Sequence, residues 1–310
     1  MRRIIIDCDP GHDDAIAICL ALAHKKQLKI EAVTTVAGNQ TVEKITNNAL
    51  KILDFLGEDI DVARGVSEPL VRELEIAMDN AHGDSGMDGP ILPNSMKKVL
   101  KTNAIEHMAK IIRNSNEKIT LVAIGPLTNI ALLIKTFPDV KDKIEEISLM
   151  GGGIFNGNAT SAAEFNIYVD PEAAKIVYES GIPIIMSGLD VTNKAYILKE
   201  EYQQIRNNGK VSNFVAELLD FYSKYGELHG YTGNAMHDAC AVAYLLQPEL
   251  FAYKDYHVDI ITGDGARGKT LADTRPRPLK EPNAKVLLDI NREKFVKLLF
   301  EAFEKLDEIV

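Results

Sequence analysis

Ile4-Ile5-Ile6-Asp7-Cys8-Asp9-Pro10-Gly11-His12-Asp13-Asp14 sets an apolar run against a Pro-Gly break and four aspartates. Residues 4–6 predict a buried strand, Pro10-Gly11 ends it, and the spacing of Ile16, Leu20 and Ala23 from Ala15 onward predicts a helix. Asp7, Asp9, Asp13 and Asp14 are thereby gathered between a strand's C-terminal end and a helix's first turn. Open α/β sheets place ligands there, and the helix dipole favours negative charge. Taken singly, Asp13 or Asp14 is equally a helix N-terminal residue. Four carboxylates this close repel one another unless shared protons or a hard cation hold them, and a divalent metal is the simplest remedy. The spacing excludes an EF-hand, which needs alternating oxygen ligands, an invariant glycine and a closing glutamate.

Working outward, strand and helix signals alternate. Residues 30–36 read as a strand ending in Ala37-Gly38-Asn39, 40–56 as a helix closed by Gly57, and 61–63 as a short strand before Gly65. Residues 78–93, with Gly83, Gly86, Gly89, Pro90 and Pro93, lack periodicity and read as a long loop of the functional kind. A helix over 105–112, a strand over 118–124, and a helix through Ile134 follow, then a strand over 147–150 ending in Gly151-Gly152-Gly153. Asp170-Pro171-Glu172 supplies a cap, a first-turn proline and an acidic start for a helix that Gly181 ends. Next come a strand (182–186), helices (199–207, 212–225, 238–246), strand-like runs (258–262, 270–272, 286–290) and a terminal amphipathic helix from Glu293. The pattern predicts one α/β domain over 1–310: a mostly parallel, Rossmann-like central sheet with flanking helices and antiparallel additions late in the chain.

The chain's 310 residues are 46% hydrophobic and 26% charged, enough for a large core. A net charge of −10 with no basic stripe argues against sequence-independent nucleic-acid binding. No apolar stretch reaches membrane-spanning length, and the N-terminus enters a strand without a signal-peptide pattern, so no membrane partner is expected. Cys8, Cys19 and Cys240 sit in apolar segments without metal-ligand pairing and read as reduced core residues of a cytoplasmic protein.

Several predicted strand ends carry polar residues. Asn39 is either a helix cap or a site residue. Gly125-Pro126-Leu127-Thr128-Asn129 is a tight turn that also leaves carbonyl oxygens available to a hard cation. Gly151 to Gly153 lacks the lysine of a P-loop and the spacing of a dinucleotide fingerprint. Asn156, Asn158, Thr160, Glu164 and Asn166 form either a solvated loop or the amide-and-carboxylate set that a sugar-hydroxyl site requires. His237-Asp238 precedes an apolar helix, where Asp238 is a cap or a ligand and His237 structural or catalytic.

The segment Asp7-Cys8-Asp9-Pro10-Gly11-His12-Asp13-Asp14-Ala15 resembles the N-terminal signature of nucleoside hydrolases that prefer inosine and uridine. The resemblance continues through Thr34-Thr35-Val36-Ala37-Gly38-Asn39-Gln40-Thr41, His82-Gly83-Asp84-Ser85-Gly86, Gly125 to Asn129, Met150-Gly151-Gly152-Gly153 and Gly157-Asn158-Ala159-Thr160. Ala163-Glu164-Phe165-Asn166-Ile167, Val169-Asp170-Pro171-Glu172-Ala173-Ala174 and His237-Asp238 complete it in order.

The resemblance implies a Ca²⁺ ion held by Asp9, Asp14, Asp238 and the main-chain carbonyl of Ile124. It implies hydrolysis of the N-glycosidic bond of a small-molecule ribonucleoside through an oxocarbenium-like species, with Asp9 as general base. Asp13, Asn39, Asn158, Glu164 and Asn166 are implied ribose ligands, and Met150 and Phe165 lie in motifs that line the substrate. His237 is the implied general acid for the leaving base, assisted by His82, and Asp7 stands behind the ligands. The His82 and His237 pair leans towards pyrimidine nucleosides, and the family implies a homo-oligomer, dimer or tetramer. Residues 222–236, with Tyr222, Tyr225, His229 and Tyr231, cannot be aligned singly to the base pocket, and Ala266 to Thr270 departs from the family's usual Gly-Met-Thr. Two rivals stand beside this reading: an aspartyl-phosphate phosphatase with Asp7 as nucleophile and Asp9 as acid, and a non-catalytic calcium or sugar-binding protein.

Overall fold

Strand β1 (Arg2–Cys8) lies inside an eight-stranded sheet and is fully buried from Ile4 onward, on both faces. Its sequence therefore runs apolar without alternation, as central strands of parallel sheets do. Ile4 and Ile6 enter one core, packed on the side of helix α1 (His12–Leu22), while Ile5 points into the other, because successive side chains of a strand face opposite ways. The computed structural model describes residues 1–77 and 81–310, apart from the side chains of Tyr225 and His229.

The chain continues through β2 (Leu28–Thr35), α2 (Val42–Phe55), β3 (Val62–Arg64), α3 (Ala104–Asn114), β4 (Ile119–Ala123), α4 (Thr128–Thr136) and β5 (Ile144–Met150). Then come α5 (Phe165–Val169), α6 (Pro171–Tyr178), β6 (Ile184–Ser187), α7 (Leu189–Thr192), β7 (Tyr196–Ile197), α8 (Lys199–Ile205) and α9 (Lys210–His229). The last third holds β8 (Asn234–Ala235), α10 (His237–Leu246), β9 (Phe251–Tyr256), β10 (Val258–Ile260), β11 (Thr270–Ala272), β12 (Ala284–Ile290) and α11 (Arg292–Asp307).

The main sheet has the order β3-β2-β1-β4-β5-β6-β12-β9, parallel except for β9, which pairs antiparallel with β12. The first six strands follow the doubly wound order, so the direction of winding reverses between β1 and β4. The crevice at that reversal lies beyond the C-terminal ends of both strands, next to Asp9 and Ile124.

Three late elements differ from the sequence expectation in placement. The expected run 286–290 belongs to β12, which joins the main sheet parallel to β6 through residues 284–286, whereas β10 and β11 pair only with each other in a separate ribbon. Strand β9 has no counterpart in the sequence reading. It is an edge strand whose Ala252, Tyr253, Lys254 and Asp255 are exposed, so it carries neither an apolar run nor clean alternation. Helix α9 runs past the expected end at 225 to His229 and stops at Gly230 in the left-handed conformation, φ 74°. Residues 81–93 of the expected long loop carry no helix or strand, while Met78, Asp79 and Asn80 lie outside the described residues. The three cysteines are free and buried. No helix among the described residues is long and apolar enough to cross a membrane.

Candidate active site

Asp9 sits just past the end of β1, walled in by two glycines. A Cβ on Gly125 would lie 2.7 Å from its Oδ1, and one on Gly38 would collide with its Oδ2. These turns thus need glycine so that backbone can close on the carboxylate. The Asn39 amide donates to Asp9 Oδ2 at 2.7 Å, and the Asn39 side chain donates to the Asp9 carbonyl at 3.1 Å. Asp9 Oδ1 is buried and has no hydrogen-bond partner. A buried acceptor left open is a costly arrangement in isolation, and it is the kind of vacancy that a ligand fills.

Asp14 turns back from the first turn of α1 and accepts from the Gly11 amide at 2.9 Å and the Asp9 amide at 3.2 Å. Helices α1 and α10 pack against each other, bringing Asp238 to the same place. Asp13, Asp14 and Asp238 each offer a carboxylate oxygen within 4.8 Å of the others, all three residues being buried. The expected ligand set named Asp9 rather than Asp13; the structure draws Asp13 into the oxygen cluster and leaves Asp9 beside it with its open Oδ1.

Burial pushes all four carboxyls upward. Asp13 rises to about 7 and Asp14 to about 6, while Asp9 and Asp238 rise well above the usual carboxylate range. The charge of Asp14 adds to the rise at Asp9 and Asp13, and Asp13 adds to that at Asp238. So crowded a set ionises together only with compensating positive charge, and oxygen-only donors suit a hard divalent cation. The residues therefore fit a metal. Ile124 lines the same cavity as Asp13 and Asp238, and its carbonyl oxygen accepts from Asn166 Nδ2 at 3.1 Å.

Asp7 has a different position. Its Oδ1 accepts from Thr34 Oγ1 at 2.5 Å and Asn129 Nδ2 at 2.8 Å, deep in the sheet, and burial raises it to about 7. Like Asp9 and Asp14 it does not itself line the cavity, but its Oδ1 is committed to two donors within the sheet, which disfavours the nucleophile that the phosphatase reading requires.

A cavity of about 290 Å³ opens above the carboxylates. This is near the lower end for ligand pockets, roughly 300–1,000 Å³, and suits a molecule of nucleoside size. All eight expected substrate contacts border it: Asp13, Asn39, His82, Met150, Asn158, Glu164, Phe165 and Asn166, joined by Ile124, His237 and Asp238. Glu164 caps α5, accepting from the amides of Asn166 at 2.9 Å and Gly152 at 2.8 Å, and burial lifts it to about 7. Asn158 Oδ1 accepts from the Phe165 amide at 2.9 Å, so each of these side chains also ties down the loop that presents it.

His237 begins α10, and its Nδ1 lies 2.7 Å from Thr192 Oγ1; burial lowers its pKa to about 4. His82 reaches the cavity from the loop after β3, with His12 behind it at 3.0 Å between the two Nδ1 atoms. Burial lowers His12 to about 4 and His82 well below the usual imidazole range. Tyr222 stacks on both rings, at 5.4 Å and 5.6 Å, and borders the cavity together with Tyr231. Sequence reasoning did not single out Thr192, His12 or Asn129 as partners. Only Asn129 and His12 stood inside quoted motifs, and nothing in the sequence around Thr192 marks it.

The profile described as inosine-uridine preferring nucleoside hydrolase matches residues 4–297. The pyrimidine-specific ribonucleoside hydrolase RihA of Citrobacter koseri is 50% identical over 303 residues, 96% of each chain. The protein of the same name from Photobacterium profundum is 52% identical over 305 residues, covering 97% of this chain and 98% of that one. Among solved structures, the purine-preferring ribonucleoside hydrolase from Gardnerella vaginalis superposes with a TM-score of 0.93 at 31% identity, over 100% of both chains. The plant nucleoside hydrolase PpNRh1 superposes with a TM-score of 0.90 at 32% identity, over 97% of this chain and 98% of that one.

Proposed function

The chain belongs to the inosine-uridine preferring nucleoside hydrolase family and is a ribonucleoside N-glycosyl hydrolase, and from that premise we propose that it is a calcium-dependent enzyme favouring pyrimidine nucleosides such as uridine and cytidine. The observation that carries the reading is the open Oδ1 of Asp9 beside three clustered carboxylates, of which Asp13 and Asp238 line a cavity bordered by side chains suited to a sugar. The pyrimidine preference rests on the names of the relatives at about 50% identity and on the presence of both His82 and His237. In the same proposal residues 1–310 act as one domain, the protein works in the cytoplasm, and it assembles as a dimer or tetramer.

Asp9, Asp14, Asp238 and the Ile124 carbonyl would hold the cation, with Asp13 close enough to join or to take a ribose hydroxyl. When bound, the cation lets the carboxylates ionise together, acidifies water and ligates hydroxyl oxygens. Asp9 Oδ1, with no other partner, takes the proton of the water that attacks the anomeric carbon. Asn39, Asn158, Glu164 and Asn166 hold the ribose hydroxyls, so affinity for the sugar orients the carbon under attack. The nearby carboxylates favour the positive charge that develops on the ribosyl ring.

His237 delivers a proton to the departing base. Its low pKa leaves it neutral at pH 7 in the free protein, so substrate binding has to raise its affinity for a proton, or its neutral N–H has to donate. Purified protein should release reducing sugar from uridine and inosine, faster from uridine, and no phosphate from ribose 5-phosphate. Phosphate release, or nucleoside binding without turnover, would reject the reading. His237→Ala should lower kcat/KM for uridine by about 10²-fold, yet change that for a nitrophenyl riboside less than about threefold, because a stable phenolate leaves without protonation. Equal losses on both would assign His237 to positioning the base.

A further inference from the structure

The turn that joins β10 to β11 stands apart from the main sheet and packs on the loop that carries Asn158 and Glu164. Gly153, Ile154 and Phe155 of that loop belong to no helix or strand, and side chains pair their main chain instead. The Gly153 amide donates to Thr270 Oγ1 at 2.8 Å, and the amides of Ile154 and Phe155 donate to the two carboxylate oxygens of Asp190 at 2.8 Å and 3.1 Å. On the carbonyl side, Lys269 Nζ donates to Gly153 at 3.0 Å and to Ile154 at 2.6 Å, and Thr270 Oγ1 donates to Gly153 at 2.9 Å. Asp190 and Thr270 are buried, so the same short stretch is held by a carboxylate on its amides and an ammonium on its carbonyls, with charge-assisted bonds from both. Partial burial lowers the pKa of Lys269 from the usual lysine value, and the charge of Asp190 opposes that fall.

Beyond Phe155 the loop is tied largely to itself. The Ala163 carbonyl accepts from the amides of Asn158 and Ala159 at 3.1 Å and of Thr160 at 3.3 Å, and Thr160 Oγ1 accepts from the Ala163 amide at 3.0 Å. A unit closed in this way keeps its own shape but takes its position from its two ends. The far end meets the same turn. Arg267 Nε donates to the Tyr168 carbonyl at 3.1 Å, with the guanidinium 4.0 Å from the centre of the Tyr168 ring. A Cβ on Gly268 would lie 2.7 Å from Tyr168 Cα and 3.0 Å from the Ala163 Cβ. One turn thus grips the loop at both ends, and Asp190 secures the near end from α7. Neither Asp190 nor Lys269 borders the cavity.

We propose that Asp190 and Lys269 are positioning residues that grip the peptides of residues 153–155 and thereby set where Asn158 and Glu164 meet the sugar of the substrate. The inference rests on the reading of this loop as the sugar-binding wall of the hydrolase site and deepens it, making affinity for the ribosyl half depend on two side chains that touch no substrate.

Lys269→Ala and Asp190→Ala should each lower kcat/KM about tenfold, by the same factor for uridine, inosine and a nitrophenyl riboside, because the sugar is common to all three. Ribose should inhibit each variant about tenfold more weakly than it inhibits the wild type, while inhibition by free uracil should change less than about twofold. The double variant should lose less than about threefold beyond the worse single one, since one open grip already frees the loop. Lys269→Arg, which keeps donors for the carbonyls, should recover most of the ribose affinity. Hydrogen exchange should quicken across residues 153–160 in both alanine variants and stay slow in β1 and β5, which separates a loosened loop from a loosened fold. Unchanged inhibition by ribose, or an equal loss of inhibition by uracil, would overturn the proposal. If Asp190→Ala does not fold, Lys269→Ala and Lys269→Arg decide it. A wild type that ribose does not inhibit would reject the sugar-wall reading and the proposal with it, and faster exchange in the variants would then place the failure in that reading and not in the grip.

Discussion

Asp9→Ala should lower kcat for uridine by at least about 10³-fold with the folded structure retained. General-base catalysis alone contributes roughly 10²- to 10⁴-fold, and the substitution also removes an oxygen donor from the proposed cation site. The fold should survive because Asp9 lies past the last residue of β1 and contributes its side chain to no strand pairing. Its loss removes one bond to the Asn39 amide but also removes a buried, unpartnered oxygen, and these effects oppose each other in stability. Circular dichroism and a denaturation midpoint close to wild type, combined with steady-state kinetics, test both halves. Turnover within tenfold of wild type would remove Asp9 from the role of base.

Chelation should abolish turnover and should also change how stability responds to pH. Dialysis against a calcium-selective chelator should yield protein without activity, calcium alone should restore it, and elemental analysis of untreated protein should find close to one calcium per chain. Zinc in its place, or full activity in metal-free protein, would overturn the assignment. In the metal-free protein, carboxyls such as Asp13 and Asp14 have folded pKa values near 7 and 6, above the ordinary value near 4 of the unfolded chain. Their contribution to stability is complete below about pH 4 and is lost as the pH rises through about 6 to 7. The chelated protein should therefore melt lower at pH 8 than at pH 5, by on the order of 5 °C, and the loaded protein should lose much less. A chelated protein equally stable at both pH values would mean that the carboxylates do not crowd one another in solution.

The legible part of this molecule was the part in which chemistry and chain direction coincide. Asp7 to Asp14 announced a strand, a break and a helix start within one short stretch, and a mostly parallel sheet with flanking helices followed from the repeats of that pattern. Glu164, Asn166 and Asn158 stood out because polar residues cluster where only turn formers are needed. Strand β9 was illegible because an exposed edge strand obeys few constraints, and its pairing with β12 is set by a partner distant in sequence. The same holds for the contacts of Thr192 with His237 and of His12 with His82, which depend on where loops close. The participation of Asp13 in the oxygen cluster is a matter of side-chain direction within one helical turn, finer than any spacing rule resolves.

The packing of α1 against α10 gives the carboxylate cluster an origin in time as well as in space. Its members come from opposite ends of the chain, so during synthesis Asp13 and Asp14 emerge early and remain without Asp238 until the last third of the protein leaves the ribosome. An N-terminal intermediate, even with strands β1 to β6 assembled, lacks the complete three-carboxylate cluster and the histidine that neighbours Asp238. With the proposed cation site, capture would be a late checkpoint: it would reward only a chain whose α10 has docked on α1, drawing the folding equilibrium towards that state by mass action.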